Sequence, residues 1–158
     1  MPAFEVSTVH GSAVLTGARA VLIRGASGAG KSQLALALIH AAQTGLLRFA
    51  RLVGDDRLHL AASNGRLLVR PAAALAGLIE VRGLGVQKVE YELRAVVGLV
   101  VDLAAGDAER LPSPGTTVVE GISVARLAIA PQADPLQVLI ASFNTSTLNF
   151  TQEACATG

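Results

Sequence analysis

The sequence predicts an α/β domain with a mixed sheet, and three features predict it. A compact apolar run, "RAVLIRG" (19–25), leads through a glycine-rich loop into the helical period of "KSQLALALIHAAQTG" (31–45). "SNGR" (63–66) joins two apolar runs through Asn-Gly, the pair that tight hairpins select. "ELRAVVGLVVDLAA" (92–105) is almost unbroken in its apolar character, as a buried strand is. Candidate strands outnumber candidate helices, so antiparallel pairing should exceed that of a regularly alternating α/β sheet.

The elements follow in order. "FEVSTVH" (4–10) and "SAVLTG" (12–17) read as two short strands around Gly11, and "RAVLIRG" as a third. In the helix that follows, Leu34, Leu38 and Ala41 recur at helical spacing and Gly45 stands where a C-terminal cap belongs. "RLVGDD" (51–56) and "RLHLAA" (57–62) are strands, the second paired with "RLLVR" (66–70) across the Asn-Gly turn. Pro71 opens a loop or single helical turn, and "LIEVRGLGVQKVEY" (78–91) reads as half strand, half glycine loop. "ERLPSPG" (109–115) is a loop feeding "TTVVEG" (116–121), and "ISVARLAIAP" (122–131) is a further strand ended by Pro131. Asp134 is placed as an N-cap with Pro135 at the first helical position, so residues 133–150 are expected to carry a C-terminal helix.

Composition narrows the functional classes. The 158 residues suffice for one cored domain, with neither a repeat nor a linker, so residues 1–158 are read as a single unit. With 51% hydrophobic and 16% charged residues the chain is not a disordered one, and 3% aromatics leave the core to aliphatic side chains. A net charge of +1 without a Lys/Arg run gives no nucleic-acid footprint. The one cysteine, Cys155, excludes an intrachain disulfide framework and fits a reducing compartment. "MPAFEVSTVHGS" lacks the basic and apolar regions of a signal peptide. "AVVGLVVDLAAG" (95–106) is broken by Asp102 and falls short of the roughly 20 apolar residues a membrane helix needs. The expectation is a cytoplasmic protein without membrane or nucleic-acid partners.

The chemistry begins in "GASGAGKS": Gly25, Ala26, Ser27, Gly28, Ala29, Gly30, Lys31, Ser32. This is the phosphate-binding pattern of glycine, four residues, then Gly-Lys-Ser/Thr, and it lies between a strand and a helix as the pattern requires. Its glycines let successive N–H groups turn inward onto phosphate oxygens, and the helix N-terminus adds a favourable dipole. Lys31 reaches the β- and γ-phosphates, and the Ser32 hydroxyl is a magnesium ligand. ATP and Mg2+ are the cofactors so implied.

Nucleotide enzymes of this type take a metal-binding aspartate from the end of a later strand, and "RLVGDD" ends in two, Asp55 and Asp56. With two, one carboxylate holds magnesium and the other accepts a hydroxyl proton, a division that suits a kinase better than a plain NTPase. On the residues alone, a solvated Asp pair at a strand end fits as well.

Three stretches together, "VHGSAVLTGARAVLIRGASGAGKSQLAL" (9–36), "LVGDDRLHL" (52–60) and "GLIEVRGLGV" (77–86), resemble the catalytic domain of HPr kinase/phosphorylase, in the short form without an N-terminal domain. "LIEVRGLG" is the specific part of the resemblance. It implies a phosphoenolpyruvate-carboxykinase-like P-loop core, a homo-oligomer (hexameric in the family), and a serine of the phosphocarrier protein HPr as substrate. By the same resemblance His10 lies near the reacting phosphate, Lys31 binds phosphate, Ser32 and Glu80 serve the metal, Asp56 takes the serine proton, and Arg110 belongs to the active site; with Asp56 so assigned, the paired-aspartate reading leaves Asp55 to the metal. "IAPQADPLQ" (129–137) departs from the proline-glycine-arginine-asparagine segment that the long forms link to the reverse phosphorolysis, so the kinase direction is the expectation. Two other classes stay open at this point: a P-loop enzyme acting on a small molecule, and a nucleotide-sensing regulatory module without catalysis.

Overall fold

The computed structural model describes residues 6–108 and 115–145. Eleven strands and two α-helices are formed among them: β1 Ser7–His10, β2 Ser12–Leu15, β3 Ala20–Arg24, α1 Lys31–Gln43, β4 Arg51–Gly54, β5 Arg57–Ser63, β6 Arg66–Pro71, β7 Leu78–Val81, β8 Gly85–Lys88, β9 Ala95–Asp102, β10 Gly115–Val119, β11 Ile122–Ala128 and α2 Pro135–Asn144. A single 3-10 turn, Ala73–Leu75, follows Pro71.

The main sheet runs β1-β5-β6-β9-β3-β2-β4, with β11 on β9 and β10 on β11. It is mixed, as expected: β3, β9 and β11 are parallel, and the other pairings are antiparallel. The buried apolar run is the centre of this arrangement. β9 pairs along β3 through residues 97–102, and its other edge serves β6 at residues 95–96 and β11 at residues 99–102.

Two apolar layers hold the sheet. On the helix side Val14, Val21, Ile23, Leu52 and Val101 pack with Leu34 and Leu38 of α1 and Leu139 of α2. On the other side Leu58, Leu60, Leu67 and Val69 of the β5–β6 hairpin fold onto Ala13, Leu22, Val53 and Val100. The period-two burial of β5 and β6 makes this second layer possible, because Leu58, Leu60, Leu67 and Val69 share one face. In the hairpin turn Asn64 and Gly65 both take left-handed backbone, at φ 52 and 74, as the Asn-Gly pair predicted.

The sequence expectations hold in element type and order, with shorter elements. α1 ends at Gln43, with Gly45 left-handed at φ 84 just beyond its cap. The Asp134 carboxylate accepts from the N–H groups of Leu136 and Gln137, so the expected N-cap is formed. α2, expected over 133–150, spans Pro135–Asn144 within the described residues. Two expectations are corrected. "RLVGDD" is not strand to its end, since β4 stops at Gly54 and both aspartates stand in the turn to β5. The stretch 78–91 is not strand followed by loop: residues 85–88 return as β8 and pair with β7 from Leu78↔Lys88 to Val81↔Gly85.

Candidate functional site

The site lies where β3 and β4 end and α1 begins. β3 delivers the chain into the loop, whose curl needs glycine at two positions: Gly28 (φ 83) and Gly30 (φ 100) are left-handed. Gly25 needs glycine for space, since a Cβ there would lie 3.1 Å from the Ala29 Cβ and 3.3 Å from that of Leu103. Lys31 Nζ donates to the carbonyls of Gly25 (2.7 Å) and Ala26 (3.1 Å), which draws the ammonium across the loop mouth.

The turn after β4 separates the two aspartates. Asp55 is buried, 4% exposed, and Asp56 is exposed. The separation is built into the backbone. Asp56 takes left-handed φ at 69, a conformation that Asp and Asn tolerate better than other non-glycine residues. The turn is pinned by Arg57 N–H on the Asp55 carbonyl (2.9 Å) and Gly11 N–H on the Asp56 carbonyl (3.2 Å).

Asp55 Oδ1 accepts from the Ser12 hydroxyl at 2.6 Å, and the Ser32 hydroxyl lies 2.8 Å from Oδ1 and 3.0 Å from Oδ2. The Glu80 N–H stands 3.5 Å from Oδ2. Among the described residues no Lys, Arg or His forms an ion pair with Asp55. A buried carboxylate held only by neutral donors is costly to folding alone, and such a group is a natural neighbour for a cation.

In front of this pair opens a cavity of about 260 Å³, lined by Ser12, Ser27, Gly28, Gly30, Lys31, Ser32, Gln33, Asp56, Glu80 and Arg82. It is smaller than the roughly 300–1,000 Å³ of pockets that enclose a whole small molecule, and its size suits the phosphate end of a nucleotide. The donor set fits magnesium. Ser32, Asp55, Asp56 and Glu80 offer hard oxygens, and magnesium takes one or two carboxylates plus phosphate oxygens rather than an all-protein cage. No cluster of three or more His, Cys, Asp or Glu side chains suited to a metal occurs among the described residues.

Of the residues singled out in the sequence, Ser27, Gly28, Gly30, Lys31, Ser32, Asp56 and Glu80 line one cavity, and Asp55 lies directly behind it. Gly25, Ala26 and Ala29 shape the loop without lining the cavity. His10 is not brought into the lining: it is exposed at the end of β1, opposite Arg57. Arg110 and Cys155 lie outside the described residues. Sequence reasoning gives no site role to Ser12, Gln33 or Arg82. Strand alternation is the available signal for Arg82, because positions 80 and 82 share one face of β7 extended by one residue.

A second polar cluster flanks the loop. Asp102, at the end of β9, accepts from Arg24 Nε and Nη2 (2.8 and 2.9 Å) and from Arg126 Nε (2.6 Å), and Arg126 also clamps Asp107 (2.8 and 3.1 Å). Burial pushes the Asp102 carboxyl up, but hydrogen bonds from Arg24 and Arg126 outweigh it, and the net value lies below the ordinary carboxylate range. Arg126 is held above its usual value by its bonds to Asp107 and then Asp102. A carboxyl lowered in the fold adds stability above its unfolded value of about 3.9 and loses it as pH falls through the lower folded value. Asp102→Asn should therefore lower the melting temperature near neutral pH, and the deficit should shrink once the pH drops below about 4. Melting curves from pH 2 to 7 check this, and a deficit that persists unchanged into acid would contradict the ion-pair account.

Comparison with known proteins adds the following. The family described as HPr Serine kinase C-terminal domain matches residues 3–101. An HPr kinase/phosphorylase of Streptococcus thermophilus (strain ATCC BAA-491 / LMD-9) is 42% identical over 83 residues, covering 52% of this chain and 25% of that protein. The HPr kinase/phosphorylase of Lactobacillus delbrueckii subsp. bulgaricus is 28% identical over 164 aligned residues, 92% of this chain and 50% of that protein. The matches thus span only a quarter to a half of the length of these curated relatives. Among solved structures, the Hpr(Ser) kinase/phosphatase from Coxiella burnetii superposes with a TM-score of 0.69 at 24% identity, covering 87% of this chain and 88% of that one, which shows a shared fold. No helix among the described residues is long and apolar enough to cross a membrane.

Proposed function

Since this chain belongs to the HPr serine kinase C-terminal domain family, we propose that it transfers the γ-phosphoryl group of ATP, with magnesium, to a serine of the phosphocarrier protein HPr. The observation that carries the reading is the division of the two aspartates. Asp55 is buried against the Ser32 hydroxyl, while Asp56 is exposed in the cavity that Lys31 also lines.

The chemistry asks little covalent work of the protein. Phosphoryl transfer needs phosphate charge neutralised, the nucleophile aligned and its proton removed. The inward amides of residues 25–32 and the α1 N-terminus bind phosphate oxygens, and Lys31 leaves its loop carbonyls for the β- and γ-phosphates. Arg82, across the cavity, is a second cation for developing charge. Ser32, Asp55 and Glu80 would hold magnesium, which when bound would offset charge on the phosphates. Asp56 accepts the serine hydroxyl proton as that oxygen bonds to the γ-phosphorus and the bond from phosphorus to the bridging oxygen breaks, releasing ADP. His10 lies outside the lining, one residue from the Gly11 N–H that fixes the Asp56 carbonyl.

An ADP-release assay tests the reading. ADP should form in proportion to added HPr and be near background without it. ADP formation indifferent to HPr would favour a small-molecule kinase or plain NTPase, and ATP binding without ADP release would favour a sensor. Glu80→Gln keeps the size of the side chain and removes its charge. It should raise the magnesium concentration for half-maximal rate several-fold with little change in the rate at saturation. A magnesium titration that overlays the parent curve would remove Glu80 from the metal site.

A further inference from the structure

Ser12 and Asp55 are the two buried polar residues among the described residues, at 1% and 4% exposure. Their hydroxyl and carboxylate meet at 2.6 Å, in the short range that O–H bonds to carboxylates take. Ser12 opens β2, where Ala13 joins the hairpin-side layer and Val14 the helix-side layer. Alternation sends Ser12 to the helix side with Val14, where an apolar side chain would serve packing at least as well. The hydroxyl therefore needs a reason beyond the core, and its partner supplies one.

Asp55 has three donors around it, and they differ in what they are free to do. The Ser32 hydroxyl carries one proton and two lone pairs, so it can ligate a cation in the cavity while it donates to Asp55, and its position then answers to the cation as well as to the carboxylate. The Glu80 N–H is distant at 3.5 Å. Ser12 is fixed in a strand paired on both edges, with β3 and with β4. It is thus the close donor whose place is set by the sheet, independently of the loop and helix that carry Ser32.

We propose that Ser12 is a positioning residue: its hydroxyl holds the buried Asp55 carboxylate in the orientation that serves a divalent cation bound with nucleotide phosphates. This rests on the reading of the cavity as a nucleotide site, and its effect is on the metal-dependent part of binding. Without metal, nucleotide binding does not call on the orientation of Asp55, and the loss of Ser12 has little effect on it. With metal, a carboxylate no longer held by Ser12 serves the cation less well.

The test is binding of a fluorescent ATP analogue to the full chain, titrated with magnesium and repeated in chelator. Ser12→Ala should leave affinity in chelator within about twofold of the parent and raise the half-saturating magnesium about tenfold, the scale of one lost hydrogen bond to a charged group. Ser12→Thr, which restores the hydroxyl, should return the titration toward the parent. Ser12→Cys, a weak donor of similar size, should behave like Ser12→Ala and serves where alanine compromises folding. Magnesium curves for Ser12→Ala or Ser12→Cys that overlay the parent would overturn the proposal. So would equal weakening with and without magnesium, the mark of a merely structural loss. If the parent fails to bind the analogue, the nucleotide-site reading fails first; if it binds without any response to magnesium, the metal part of that reading fails, and in either case the role of Ser12 falls with it.

Discussion

Lys31→Ala is expected to lose HPr-dependent ADP release by at least about a hundredfold, the scale set by removing one preorganised charge from a transition state. The loop geometry makes the position irreplaceable. Lys31 Nζ is the ammonium that closes on the carbonyls of Gly25 and Ala26, and Lys31 lines the cavity read as the phosphate site. Alanine is well tolerated at the start of a helix, so α1 should form and the melting temperature should change little. Loss of nucleotide affinity with an intact fold is the signature to look for, by calorimetry and thermal melting together. Unchanged ADP release would remove the phosphate-loop assignment, and with it the reading of the cavity.

Asp56→Asn should do something different. Nucleotide and magnesium should still bind, because neither the loop nor the Asp55–Ser32 pair is touched. The rate of transfer to serine should fall by roughly a hundred- to ten-thousandfold, the range for loss of a positioned proton acceptor. Asparagine is the informative replacement. Position 56 has left-handed backbone at φ 69, which Asn adopts as readily as Asp, whereas alanine there would add backbone strain to the chemical loss. Single-turnover kinetics with binding measured in parallel separates the two effects. If Asp55→Asn retains binding and is the more damaging to transfer, the proton acceptor is Asp55 and the division of roles must be reversed. The geometry argues against that reversal, because Asp55 is 4% exposed and occupied by two hydroxyls.

Local signals in the sequence were enough for most of this. Gly28 and Gly30 are demanded by the backbone of the loop, and the Asn64-Gly65 pair and the Asp134 cap report their own φ angles or hydrogen bonds within a few residues. β9 announces itself because both of its edges and both of its faces are covered, which leaves little room for polar residues. What escaped is long-range or lacks a pattern. β8 carries exposed Gly85 and Val86 with no burial alternation to mark it as a strand, and only its pairing with β7 defines it. Arg24 and Asp102 are 78 residues apart in the chain, so their ion pair follows from the parallel register of β3 and β9 rather than from any motif. Ser12 looked neutral for a similar reason: a small hydroxyl inside "GSAVL" gives no hint of a carboxylate 43 positions later.

The intact mass of purified HPr after incubation with this chain, ATP and magnesium tests the central claim most directly. One added phosphate, mapped to a serine and absent when Lys31→Ala replaces the parent, is the predicted result. HPr of unchanged mass, while the chain demonstrably binds ATP and magnesium, would contradict the kinase reading and leave the cavity to a nucleotide sensor or to another phosphate acceptor.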